Sequence, residues 1–199
     1  MSSTERVKYD KNTFFHLPEQ KKKAENGKNR YIAEWMMATN ETNAANTVQS
    51  LTSLMSVSRI FYFRGKQKKD DVLKALIKAI ASEEKFGTED DLEWGIMHRE
   101  ELMSTGIGKN IATPHTSVNG LESSCIALAI CPEGIQDYQS PDALPVKLVF
   151  MIVTPKENAA PQLKILAAIG NLFYDGRLKA ACLASGDPER CFTIIQRAE

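Results

Sequence analysis

Two almost continuous apolar stretches, Ser124 to Cys131 and Val146 to Val153, the second broken only by Lys147, constrain this chain more than any other feature. Each has the length of one strand and is bounded by Pro and Gly. A strand that is apolar without alternation needs cover on both faces. Neither run approaches the roughly 18 apolar residues that a membrane helix needs. The cover is legible nearby. Asp70 to Ser82 places Val72, Leu73, Leu76, Ile77 and Ile80 on one helical face. Thr88, with Asp91 three residues later, resembles a capping box and opens a helix running to about Met103. Gln162 to Tyr174 restores the helical period, and Asp187-Pro188 opens a last helix, with Asp as cap and Pro at the first helical position. Val57 to Phe63 reads as a further strand, closed by Gly65. Strands and helices intermix, so the predicted class is α/β (α+β), helices packed on a small sheet.

The first fifty residues are different in kind. They hold Lys21-Lys22-Lys23, the polar stretch Thr39 to Ser50, and only scattered apolar residues. A short helix around Arg30 to Met37 is expected, with Tyr31, Ile32, Trp35 and Met36 sharing a face. The chain therefore divides into an extension and linker of unassigned role at 1–50 and one domain at 51–199. The whole carries 25 Lys and Arg against 25 Asp and Glu. Residues 1–50 hold 8 basic and 6 acidic side chains, which leaves 17 and 19 for the rest. Coating a polyphosphate backbone needs a basic surplus, so no nucleic-acid partner is expected. No apolar core follows a basic start, so no secretory signal is expected. Cys125, Cys131, Cys182 and Cys191 have neither C-x-x-C spacing nor a His at ligand distance, which points away from zinc and from a disulfide framework. Reduced thiols in a cytoplasmic protein, without direct membrane insertion, are the expectation.

The chemistry gathers at one histidine. Of His16, His98 and His115, only His115 has suggestive surroundings. It follows Pro114 at the end of a predicted strand, which would present the ring from a stiff, non-helical position. Just upstream, Gly106 and Gly108 permit backbone geometries in which amide groups converge on an anion, and Ser104 and Thr105 add hydroxyl donors. Arg99 can clamp a phosphate bidentately. A His nucleophile among such donors suits transient phosphoryl capture. Alone, a His at a strand end is more often structural. The stretch is neither a Walker A loop nor a Rossmann G-x-G-x-x-G. His98, beside Arg99, reads as a surface residue.

The ordered string from Arg99 to His115, R-E-E-L-M-S-T-G-I-G-K-N-I-A-T-P-H, closely resembles the signature R-E-x-x-x-S-T-G-I-G-x-x-I-A-x-P-H. That signature marks enzyme IIA proteins of the bacterial phosphotransferase system, type 2, the fructose–mannitol and nitrogen-regulatory class. Leu54 to Ile60 with Lys68 to Ile80 resembles the family's opening strand and helix. Cys131-Pro132-Glu133-Gly134-Ile135 resembles its "P-x-G-I" turn, and Val146 to Pro155 its following strand. The resemblance implies a mixed sheet flanked by helices and a histidine phosphocarrier. His115 would accept a phosphoryl group from HPr or an HPr-like protein. It would pass the group to a cysteine of an enzyme IIB domain in carbohydrate uptake, or its phosphorylation state would govern binding to a regulated partner. Arg99 and Glu100 match positions bordering the site, and Ser104 and Thr105 match hydroxyls lining it. No cofactor, nucleotide or metal is implied, because the donor is already a phosphoramidate.

Two departures stand out. The family commonly has a second His at the start of the next helix, where Gln162 stands here. Glutamine can donate a hydrogen bond to a phosphoryl oxygen or orient the His115 ring, but it cannot become a cation. The lost charge assistance is worth roughly 1–2 kcal/mol, or about tenfold in rate. Thr113 replaces the usual Ile or Val before the proline, a change expected to be minor.

Overall fold

The computed structural model describes residues 50–158 and 160–199. The helix expected at Arg30 to Met37 and the rest of the extension lie outside the described residues. After a 3-10 turn at Leu51–Leu54 come strand β1 (Met55–Tyr62) and helices α1 (Lys69–Glu83) and α2 (Glu89–Leu102). The short strands β2 (Gly106–Gly108), β3 (Ile111–Ala112) and β4 (His115–Val118) follow. Then come β5 (Cys125–Ile135), β6 (Val146–Pro155) and helices α3 (Ala160–Leu172), α4 (Arg177–Leu183) and α5 (Pro188–Gln196). The expected caps are present: Thr88 accepts from the Asp91 amide, and Asp187 accepts from the Arg190 amide. Helix α4 is only seven residues long, too short to leave a readable helical period.

The sheet is mixed, in the order β1-β5-β6-β3-β2, with β4 also on β6. The two apolar runs are its central antiparallel pair, β5 and β6. Their side chains divide by parity. Ala127, Ala129, Cys131, Val149, Met151 and Val153 face α1 and α2. Ile126, Leu128, Ile130, Leu148, Phe150 and Ile152 face α3, α4, α5 and the 3-10 turn. Helices on both faces explain why neither run alternates with polar residues. The predicted α/β architecture is the one found.

One expectation about the strands needs correction. His115 opens β4 instead of ending a strand. β3 and β4 lie on β6 in a single register, Ile111 opposite Leu148 and His115 opposite Ile152, so they form one line of backbone. Pro114, which has no N–H, breaks the pairing but still accepts from the Ile152 amide at 2.9 Å. A proline that interrupts a strand looks, in the sequence alone, like one that ends it.

Candidate active site

The strand register sets which way His115 points. Parallel partners share a face, so Ile111, Thr113 and His115 project with Leu148, Phe150 and Ile152 toward the α3 side. Gln162 lies half-buried in the first turn of α3, the helix that covers this face. Arg99 comes from the other side, at the C-terminal end of α2. Its Nη1 donates to the Met103 carbonyl at 2.9 Å, and its charge reaches His115. Arg99 thus meets His115 where β4 begins to pair with the last residues of β6, the strand from which the chain runs on to α3.

Acceptance of a phosphoryl group from another protein calls for an open ring, whereas the structure shows a largely buried one. His115 is 7% exposed. Burial is the largest cause that holds its pKa below the ordinary 6.5; the contact with the Thr113 carbonyl raises it, and the Arg99 guanidinium lowers it again. The neutral ring is therefore the stable form near pH 7. Nδ1 lies 2.8 Å from the Thr113 carbonyl oxygen, which can only accept, so Nδ1 carries the proton and donates. The lone pair is left on Nε2, and a neutral imidazole with its lone pair at Nε2 is a competent nucleophile.

This lowered pKa links to stability. The unfolded chain takes up the ring proton first. The contribution of a neutral His115 is therefore whole above 6.5 and is lost as pH falls from there through the lower folded value. In urea unfolding, the protein is expected to lose more stability between about pH 7 and pH 5.5 than a His115→Gln variant does. Equal losses would show that the ring is not buried in its neutral form.

The hydroxyls and glycines of the signature have other partners than an anion. Thr105 is fully buried and bonds Glu100: its amide lies 3.2 Å from both carboxylate oxygens, and its Oγ1 donates to Oε2 at 2.7 Å. The Tyr138 hydroxyl, also buried, donates to the same Oε2 at 3.2 Å and lies 2.9 Å from Thr105 Oγ1. Burial first, and then the Glu100 charge, push the Tyr138 phenol well above its ordinary pKa, so it stays a donor. Ser104 Oγ donates to the Gln139 carbonyl at 2.7 Å. Gly106 sits so close to that segment that a Cβ would fall 2.2 Å from the Gln139 carbonyl oxygen. Gly108, at φ +91°, enters the two-residue turn Lys109-Asn110, where both φ values are positive. That turn joins β2 to β3, about four residues, or roughly 13 Å, along the strand from His115. The stretch S-T-G-I-G is thus a braced hairpin. It fixes the line of backbone leading to His115, and Thr105 and Thr113 are joined across it by a 3.0 Å amide–carbonyl bond.

Tyr138 and Gln139, in the segment after β5, are the brace that sequence reasoning missed. They lie more than thirty residues beyond the Thr105 and Ser104 hydroxyls that they meet, and nothing local marks them. Thr113 is less innocuous than expected. Its buried Oγ1 finds no hydrogen-bond partner among the described residues, which costs roughly 1–3 kcal/mol against an apolar side chain. His98 is exposed, as expected, and stacks on Trp94 at 4.8 Å. All four cysteines are buried free thiols. Among the described residues no group of three or more His, Cys, Asp or Glu could hold a metal, and no helix is long and apolar enough to cross a membrane. An open cavity of about 820 Å³ lies beside the brace, between the end of α2 and the β5–β6 segment. Glu100, Ser104, Gly106 and Tyr138 line it, and His115 does not.

Comparison with known proteins bears on the family and the fold. The sequence profile described as "Phosphoenolpyruvate-dependent sugar phosphotransferase system, EIIA 2" matches residues 53–198. A nitrogen regulatory protein of Bradyrhizobium diazoefficiens is 32% identical over 100 residues, which are 50% of this chain and 65% of that one. The fructose-specific EIIABC component of Bacillus subtilis is 25% identical over 147 residues, 74% of this chain and 23% of its own length. The chain thus spans less than two thirds of these relatives. In fold it resembles the nitrogen regulatory protein IIA-Ntr of Neisseria meningitidis (TM-score 0.66, 20% identity, 74% of this chain and 99% of that one). It also resembles IIA mannitol of Escherichia coli (TM-score 0.58, 17% identity, 70% and 97%). With most of its length matched from the strand that opens the sheet to the last helix, this chain belongs to the type-2 EIIA family of the phosphoenolpyruvate-dependent sugar phosphotransferase system.

Proposed function

We propose that this protein is a histidine phosphocarrier whose acceptor atom is His115 Nε2, and that residues 51–199 are the unit that does the work. The observation that carries the reading is the state of the ring. His115 is held neutral by burial and by Arg99, with its proton committed to the Thr113 carbonyl and its lone pair on the other nitrogen. In the transfer, Nε2 forms a bond to phosphorus while the N–P bond of the donor's phosphohistidine breaks. The electron pair of that bond returns to the donor imidazole, which is HPr or an HPr-like protein in this reading. Nδ1–H stays on the Thr113 carbonyl throughout, so the step needs no proton shuttle. Arg99 balances the charge that arrives with the phosphoryl oxygens. The ring then gives the group to a sulfur nucleophile, the cysteine of an enzyme IIB domain, and recovers its lone pair. The donor must reach Nε2, so the 7% accessible fraction has to include that edge of the ring or gain it when the donor docks.

The test is incubation with phosphoenolpyruvate, enzyme I and HPr. The expected product is one acid-labile, base-stable phosphate per chain; no incorporation under conditions that load a known enzyme IIA would sink the reading.

A second reading concerns what the phosphate is for. Gln162 at the start of α3 lacks the charge that would speed onward transfer, and this favours a regulatory, nitrogen-type role. There the added negative charge itself sets which partner binds. The 32% identity to a nitrogen regulatory protein supports the same side. In either role Gln162→His is expected to accelerate phosphoryl gain or loss by about tenfold. A rate that stays the same or falls would mean that Gln162 does not face the transferred group.

A further inference from the structure

We propose that residues 21–37 of this chain dock across the outer face of α2 and into the cavity at its C-terminal end. The inference is independent of the role given to His115.

The surface itself asks for a cover. Trp94, His98 and Leu102 recur every four residues, so they form one stripe along α2. Trp94 is 68% exposed and Leu102 is 71% exposed. Leu102 is also part of the cavity wall, as is Leu144, which is 48% exposed. Single exposed apolar residues are ordinary, but a stripe that continues into a cavity marks a site of contact.

Charge and reach select the occupant. Helix α2 carries Glu89, Asp90, Asp91, Glu93, Glu100 and Glu101 against the single cation Arg99. Glu100 is buried in the brace; the other carboxylates lie at the surface or half-buried. Residues 21–37 have the opposite character: Lys21, Lys22, Lys23, Lys28 and Arg30 against Glu25 and Glu34, together with Tyr31, Ile32, Trp35, Met36 and Met37. A basic and aromatic segment thus meets an acidic helix that bears an apolar stripe, the complementarity that steers and registers an interface. Residues 38–49 link the segment to Ser50. Extended, they span up to about 40 Å. The sheet is five strands across from β1 to β2, roughly 19 Å, about half the reach of the tether. Such a tether gives an effective concentration near the millimolar range, which favours contact within one chain over contact between chains.

Trp35 and Trp94 are the two tryptophans, so a Trp94→Phe background makes Trp35 the sole reporter while keeping an aromatic ring in the stripe. In the full chain on this background, acrylamide is expected to quench Trp35 poorly. Adding Leu102→Asp with Leu144→Asp should raise the quenching constant roughly threefold, because both positions are exposed and the charges replace the apolar contact. Lys21→Glu, Lys22→Glu and Lys23→Glu together should raise it as well. These leave residues 50–199 unaltered, so they decide the matter should the aspartate pair unfold the protein by circular dichroism. Unchanged quenching in both variants overturns the proposal. So does protection that fades on dilution, which would place the segment on a second copy of the chain.

Discussion

Replacing His115 with alanine is expected to abolish phosphate incorporation from phosphoenolpyruvate through enzyme I and HPr, down to background. Among the described residues the chain has one other histidine, His98, and that ring is exposed and stacked on Trp94, away from the Thr113 carbonyl that sets the tautomer of His115. No other imidazole there has its proton committed to a carbonyl, so the loss should be complete. The variant removes a mostly buried ring, and near-UV circular dichroism must show that its fold is retained. A folded Ala variant that still takes up acid-labile phosphate would place the acceptor elsewhere.

The next largest effect is expected from Gly106→Ala. Its new methyl would lie 2.2 Å from the Gln139 carbonyl oxygen and 3.2 Å from Ser140 Cα. These are backbone atoms, which cannot rotate aside as a side chain can. Either β2 or the segment after β5 must shift, and the Ser104–Gln139 and Thr105–Tyr138 contacts must shift with it. We expect a loss of about 3 kcal/mol, near the upper end of overpacking costs. For a domain of this size that lowers Tm by about 10 °C. Gly65→Ala is the control. Its φ is also positive, at +78°, but a Cβ there meets nothing within 4 Å, so only the backbone strain of about 1 kcal/mol applies. Equal losses in the two variants would show that the close approach at Gly106 is not maintained in solution. Phosphate uptake by the Gly106→Ala protein should fall as well, because the hairpin fixes the backbone line that runs through His115.

These two positions show how differently parts of the site could be read. His115 was singled out by its local string, and the structure accounts for its chemistry through short-range contacts: Thr113 two residues away and Arg99 one helix end away. Ser104, Thr105, Gly106 and Gly108 were expected to hold an anion. Local reasoning could see two glycines and two hydroxyls, groups that suit a phosphate as well as a tight turn. The choice between these uses lay with Glu100, Tyr138 and Gln139, and two of those three are far away in sequence. The burial of the ring was hidden for the same reason. It is a product of tertiary packing, which no window around residue 115 contains.

Periodicity, caps and strand-length apolar runs determined by themselves the class of fold and the order of its main elements; the resemblance of the Arg99–His115 string to a known signature named the residue to suspect. These signals are written within ten or fifteen neighbours, over which backbone geometry acts. Tertiary structure alone decided that Pro114 interrupts a strand without ending it, that the signature hydroxyls brace a hairpin, and that His115 is buried as a neutral ring. Each of those outcomes depends on groups brought together across the sheet, and local sequence carries no record of which distant partner will occupy a hydrogen bond.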